Sequence, residues 1–251
     1  MIRTYLFGAA LLAATAAATP PALAFNAAEK TDIEGVVRDY LIRNPEVLLE
    51  AMDALQAKRA AEDQVAQKGA IAGAGSSLYA SPEGTVLGNP SGDVTVVEFF
   101  DYNCGYCKHA LADMETLVEN DPKLRFVLKE IPVLGEQSVA ASHVSTAFRH
   151  LAPAKYGDFH KKLLASKGVA DADRAIAVAA DFGVEEPALR EAMKLPEVTE
   201  VLADNERLAG LLKISGTPSY VIGNEVVPGA IGADGLAAKI ASVRECGKTS
   251  C

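Results

Sequence analysis

The segment that most constrains this chain is Val94-Thr95-Val96-Val97-Glu98-Phe99-Phe100, which leads almost directly into Cys104-Gly105-Tyr106-Cys107. An apolar run broken only by Thr95 and Glu98 is expected for a central strand covered on both faces. Beyond it, Leu111, Met114, Leu117 and Val118 mark one face of a helix, and Leu124 to Leu128 reads as a second strand. A strand, a crossover helix and a second strand join with a right-handed turn, so the two strands are expected to be parallel. The fold class is therefore α/β, with a paired-cysteine motif at the point where a buried strand gives way to a helix.

That position has chemical consequences. The first turn of a helix presents unpaired backbone N–H groups and the positive end of the macrodipole, both of which favour a thiolate. Cys104 is the expected attacking nucleophile. Cys107, one turn further in and less exposed, is the expected resolving thiol, and Gly105 and Tyr106 between them tune the pair. The bland alternatives are a static disulfide or half of a zinc site shared with His109.

A second motif, Gly216-Thr217-Pro218-Ser219-Tyr220, precedes a strand at Ser219 to Ile222. Judged alone, Pro218 reads as an ordinary trans turn residue. Gly223-Asn224 is a hairpin signal leading into Glu225 to Val227, and a last helix is expected over Asp234 to Glu245. Residues 136 to 212 hold several helical patterns, interrupted at Pro153, Asp171, Pro187 and Pro196, and no good strand.

The N-terminal part differs in character. Arg3, the apolar stretch Tyr5 to Ala18 and Ala22-Leu23-Ala24 read as an export signal cleaved after Ala24. The apolar stretch is shorter than the roughly 20 residues of a spanning helix. Residues 26 to 72 look helical, with Thr31 to Glu34 as a capping box and Ile33, Val36, Val37, Tyr40 and Leu41 on one face. Asn44-Pro45 is expected to restart the helix with Asn44 as its N-cap, leading into Leu48, Met52 and Leu55. Past Gln56 the pattern turns polar and alanine-rich, until Gly73 to Ser77 is expected to form a flexible joint. The expected organisation is a signal over 1–24, a helical oligomerisation region and linker over 25–77, and a catalytic domain over 78–251.

A net charge of -9 argues against a nucleic-acid partner, which would need clustered cations. Export to an oxidising compartment permits disulfides, and Cys246 and Cys251 are read as a structural pair closing a short loop. A second redox pair or a Cu(I) site is the alternative for them. His109, His143, His150 and His160 show no ligand spacing, and no metal or cofactor is expected.

The run VVEFFDYNCGYCK, followed much later by GTPSYVIG, resembles the thioredoxin superfamily and most closely the periplasmic DsbA family. The resemblance implies a thioredoxin fold with a helical domain inserted at about 136–212. It further implies that Pro218 is cis and that Thr217 lines a substrate groove beside Cys104. Glu98 matches the family's buried acid, a group that would relay the proton of Cys107. Gly105-Tyr106 departs from the Pro-His usual in strongly oxidising DsbA proteins and is the pair of DsbC-type isomerases. ScsC-like relatives join an N-terminal helical extension to oligomerisation and isomerase activity. On that resemblance the chain is expected to be a trimeric periplasmic disulfide isomerase, assembled through residues 26 to 55. Its substrates would be cysteine-containing exported proteins, and a membrane partner would keep it reduced. The alternatives are a dithiol oxidase of DsbA type and a thiol-based copper-binding protein using Cys104 and Cys107.

Overall fold

A computed structural model describes residues 25–251, so the expected export signal over 1–24 lies outside the described residues. The chain divides into two compact units, one ending at Ala57 and one running from Lys58 to Cys251. Among the described residues no helix is long and apolar enough to cross a membrane.

In the first unit, helix α1 spans Ala27–Arg43, within the stretch expected to be helical. Its capping box is Asn26 with Glu29, not Thr31 with Glu34: the Asn26 side chain accepts the Glu29 N–H at 3.0 Å, and the Glu29 carboxylate accepts the Asn26 N–H at 2.8 Å. Thr31 already lies inside the helix, where its hydroxyl donates to the Ala27 carbonyl at 3.1 Å. Asn44 closes α1 rather than opening the next helix, since its amide donates to the Tyr40 carbonyl at 2.9 Å. Helix α2 follows over Glu46–Tyr79. Val36, Tyr40, Leu48, Met52 and Leu55 are all exposed.

The expected joint at Gly73 to Ser77 contains a kink: α2 is two helical stretches that meet at Gly75, whose backbone is non-helical at φ 46° and ψ -125°. Ile71, Ala74 and Leu78 recur at helical spacing and are buried with Val97, Phe99, Val127 and Leu212. The end of the helix is held by strand cations: Arg125 donates to the Tyr79 carbonyl at 3.0 Å and Lys129 to the Ala80 carbonyl at 3.1 Å. An apolar stripe hidden in an alanine-rich helix found the second face of the sheet, so the segment belongs to the larger unit.

That unit is built on a five-stranded sheet in the order β1-β3-β2-β4-β5. Its strands are β1 (Val86–Gly88), β2 (Val94–Phe100), β3 (Leu124–Glu130), β4 (Ser219–Ile222) and β5 (Glu225–Pro228). The pair β2 and β3 is parallel and the other pairings are antiparallel. Strand β1 was not anticipated, because a strand of only three residues carries too little pattern to read. Helix α3 (Gly105–Asn120) makes the crossover between β2 and β3. On its side of the sheet, Val96, Phe126 and Tyr220 share a core with Cys107, Leu111 and Met114 of α3. Between β3 and β4 lie α4 (Glu136–Leu151), α5 (Tyr156–Leu164), α6 (Ala172–Ala180), α7 (Glu186–Ala192) and α8 (Pro196–Leu211). These helices carry their own aromatic packing, with Phe148 stacked on Phe159 at 4.2 Å between ring centres. Helix α9 (Gly232–Cys246) closes the chain against the same face as α3. The result is a thioredoxin fold with a helical domain inserted between its two halves, preceded by a helical extension.

Candidate active site

Strand β2 ends at Phe100, and the turn Asp101 to Asn103 delivers Cys104 to the N-cap of α3. The Cys104 sulfur accepts the Cys107 N–H at 3.4 Å, as a capping oxygen would. Its thiol donates to the Thr217 carbonyl at 3.0 Å, across the gap to the second motif. The Thr217-Pro218 peptide bond is cis, and Pro218 is buried. The two motifs, far apart in sequence, therefore meet at one sulfur atom. Cys104 and Cys107 are both free thiols, with 5% and 0% of their surface exposed. Gly105 and Tyr106 occupy the exposed first turn, with the Tyr106 side chain standing into solvent.

Glu98 lies on the same face of the sheet as this pair. Alternation along β2 sends Val96, Glu98 and Phe100 toward α3, and Val97 and Phe99 to the opposite core. Glu98 sits directly opposite Tyr220 on β4 and Leu128 on β3. Burial, reinforced by the nearby Asp113 carboxylate, pushes its carboxyl up to about 8. Burial likewise pushes the Cys107 thiol well above its usual range, with the Glu98 charge adding to the rise. The Glu98 charge makes ionisation of Cys107 less favourable, and at neutral pH Glu98 itself holds a proton that a carboxyl in water would have lost.

Cys246 and Cys251 are joined by a disulfide at the end of α9, exposed and separate from this constellation. Of the histidines, His160 is buried and edge-on to Phe100 at 4.6 Å, while His109 and His150 are exposed. Among the described residues no cluster of histidine, cysteine or carboxylate groups is arranged to hold a metal ion.

Sequence reasoning missed the residues that brace the active turn. The Asp101 carboxylate, 1% exposed, accepts the Asn103 N–H at 2.7 Å, the Ser138 hydroxyl at 2.8 Å and the Leu134 N–H at 3.0 Å. Asn103 in turn bonds both backbone groups of Ala170, accepting its N–H at 2.7 Å and donating to its carbonyl at 2.8 Å. Asp101 and Asn103 look like unremarkable turn residues, and nothing local announces partners in the helical insertion. Nearby, Glu130 is buried among Ser145 and Tyr156, which donate to it at 2.7 and 2.6 Å.

Comparison with known proteins fits this geometry. Residues 95–241 match the family described as the DSBA-like thioredoxin domain, and residues 29–62 match the copper resistance protein ScsC N-terminal domain. A thioredoxin-like oxidoreductase from Silicibacter pomeroyi is 40% identical, with a TM-score of 0.64 over 68% of this chain and 97% of that one. Proteus mirabilis ScsC in a transitional conformation is 30% identical, with a TM-score of 0.63 over 87% of this chain and 96% of that one. BcfH of Salmonella enterica Typhimurium is 26% identical, with a TM-score of 0.71 over 85% of this chain and 95% of that one. A segment of the Na(+)/H(+) antiporter NhaA 1 of Salinispora arenicola is 24% identical over 157 residues, 62% of this chain and 24% of that protein. The chain thus spans about a quarter of the length of that curated relative. With the DSBA-like match covering more than half of the sequence, the chain belongs to the DsbA family of thioredoxin-fold proteins, and carries an ScsC-like domain at its N-terminal end.

Proposed function

We propose that this chain is an exported, periplasmic thiol-disulfide oxidoreductase that acts as a protein disulfide isomerase. The observation that carries the reading is the Cys104 sulfur at the N-cap of α3, within 3.4 Å of the Cys107 N–H and 3.0 Å of the Thr217 carbonyl. The Cys104 thiolate attacks one sulfur of a substrate disulfide. A Cys104–substrate disulfide forms, the substrate S–S bond breaks, and the second substrate sulfur leaves as a thiolate. In isomerisation that thiolate attacks another disulfide of the same polypeptide, and a substrate thiolate finally displaces Cys104, so no electrons are gained or lost overall. Should the mixed disulfide stall, Cys107 attacks the Cys104 sulfur. The substrate then departs reduced, and a Cys104–Cys107 disulfide remains for a membrane redox partner to reduce with two electrons.

Cys107 must lose its proton to attack, although burial opposes this. Glu98 changes charge near pH 8, so it is the ionised fraction of this carboxyl that takes up that proton. Thr217 and Pro218 line the groove in which the substrate segment lies beside Cys104, and Gly105 and Tyr106 tune the stability of the thiolate.

Isomerase action is favoured by the Gly105-Tyr106 pair and by the helical extension. Residues 26 to 55 present Val36, Tyr40, Leu48, Met52 and Leu55 without burying them. Apolar side chains so concentrated are best covered by copies of the same segment, and we assign the chain to a trimer on that ground. Several active sites in one assembly would engage a misfolded chain at high effective concentration. The second reading is a DsbA-type oxidase that donates its Cys104–Cys107 disulfide, favoured by the family match over 95–241.

Refolding of a disulfide-scrambled protein by the mature chain is the test. Regain of native pairing without added oxidant is expected, together with a trimeric mass by light scattering that is lost on deleting residues 26–57. Cys104→Ser should abolish turnover, and Cys107→Ser should accumulate mixed disulfides visible by mass spectrometry. A chain that only oxidises dithiols, or a monomer equally active with and without the extension, would return the assignment to a monomeric oxidase.

A further inference from the structure

The active turn is held from two sides, and only one of them is the second motif. On one side stands the Thr217 carbonyl. On the other, the residue before Cys104 and the residue after Cys107 both reach into the same loop of the helical insertion, residues 165 to 171 between α5 and α6. The Asn103 side-chain amide accepts the Ala170 N–H at 2.7 Å and donates to the Ala170 carbonyl at 2.8 Å, so one side chain holds both backbone groups of that residue. The Lys108 ammonium donates to the Ser166 carbonyl at 3.0 Å and the Gly168 carbonyl at 3.1 Å. Beyond the latch, Asp171 caps α6 by accepting the Arg174 N–H at 2.9 Å, which anchors the downstream end of the loop. Ala170 is fully buried, while its neighbour Val169 is 57% exposed. A short loop tied at both ends and in the middle thus carries an exposed aliphatic side chain next to the residue that Asn103 holds.

Nothing in thiol-disulfide chemistry itself calls for this latch. The exchange needs only the two sulfurs, their protons and an open approach. A small disulfide meets those sulfurs alone, whereas a polypeptide must also lay its backbone and flanking side chains along whatever borders the nucleophile. We infer that Asn103 and Lys108 are positioning residues that hold the 166–170 loop, with Val169 at its crest, as a second wall of the polypeptide site, selecting substrates with an apolar residue next to the reacting cysteine. The inference rests on the proposed exchange reaction and concerns its substrate class. Asparagine suits the role because its amide both donates and accepts; an aspartate in its place would set a carboxylate against the Ala170 carbonyl.

The experiment compares exchange with a cysteine-containing unfolded polypeptide and with glutathione disulfide, using the full mature chain and three variants. Val169→Asp alters only an exposed side chain, so its folding is secure, and the ratio of polypeptide to glutathione rates should fall about tenfold. The loss should appear as a higher KM for the polypeptide with kcat held, and peptides carrying serine in place of the apolar flanking residue should not distinguish the variant from the parent. Lys108→Met and Asn103→Asp should lower the same ratio by freeing the loop. A ratio unchanged in Val169→Asp and Lys108→Met, whether both rates fall together or neither falls, overturns the inference and leaves the exchange reaction standing. Failure of the parent chain to exchange with either substrate would instead remove the reading on which the inference rests.

Discussion

Replacing Glu98 with glutamine asks whether a buried carboxyl carries a proton in the folded protein at neutral pH. The carboxyl ionises at about 8 instead of 4.5, chiefly because burial penalises its charged form. The native state therefore holds this proton more tightly than the unfolded chain does. Below pH 4.5 both states are protonated at this position and the group costs nothing. As pH rises from 4.5 to 8 the unfolded chain releases the proton freely while the folded chain cannot, and stability declines. At 1.36 kcal/mol per decade the full decline is on the order of 5 kcal/mol, complete only above pH 8. Glu98→Gln keeps the shape and removes the ionisation. The buried amide adds its own cost, about 1–3 kcal/mol, but that cost is independent of pH. Urea unfolding of the reduced parent and variant at intervals from pH 4 to 9 should show the variant gaining on the parent steadily across that window, after which the difference stays constant. A stability difference that stays constant between pH 5 and 9 would mean that Glu98 is ionised in the folded protein, and the raised carboxyl would fall with it.

Leu78→Ala should destabilise the larger unit by about 2–5 kcal/mol in urea unfolding, because Leu78 is fully buried against the sheet; an effect near zero would mean that the stretch after Gly75 is not docked there. Replacing both Cys246 and Cys251 with serine should lower stability by about 2 kcal/mol, the chain-entropy value for so short a loop, and should leave the glutathione exchange rate of Cys104 unaltered; a lost exchange rate would make the pair part of the redox path. Tyr156→Phe removes a donor from the buried Glu130 carboxylate, with an expected cost of about 1–3 kcal/mol at pH 7 measured by calorimetry. Because burial already pushes Glu130 up to about 7, and native proton binding is favoured between 4.5 and 7, that cost should shrink as the pH falls toward 5.

Much of this molecule is legible locally. A run such as Val94 to Phe100 states its own burial, the residues after Cys107 keep a helical period, and Gly223-Asn224 marks its own hairpin. Some local signals were present but passed over. Asn26 and Glu29 make a capping box as plain in the sequence as Thr31 with Glu34, and the helix began at the earlier one because nothing stopped it there. Ile71, Ala74 and Leu78 form a helical stripe that alanine-rich surroundings disguised, since small residues dilute the contrast between faces.

The α/β class, the helical insertion and the placing of Cys104 at a helix start could all be read within single segments, because each follows from periodicity and turn chemistry over a few residues. What surrounds that sulfur depends on how the segments pack. The contact of Cys104 with Thr217, the facing of Glu98 and Tyr220, and the latch of Asn103 and Lys108 on the 166–170 loop all join segments far apart in the chain. Such pairings depend on which strand lies beside which and on where the insertion packs back, and residue spacing along one segment holds no record of either.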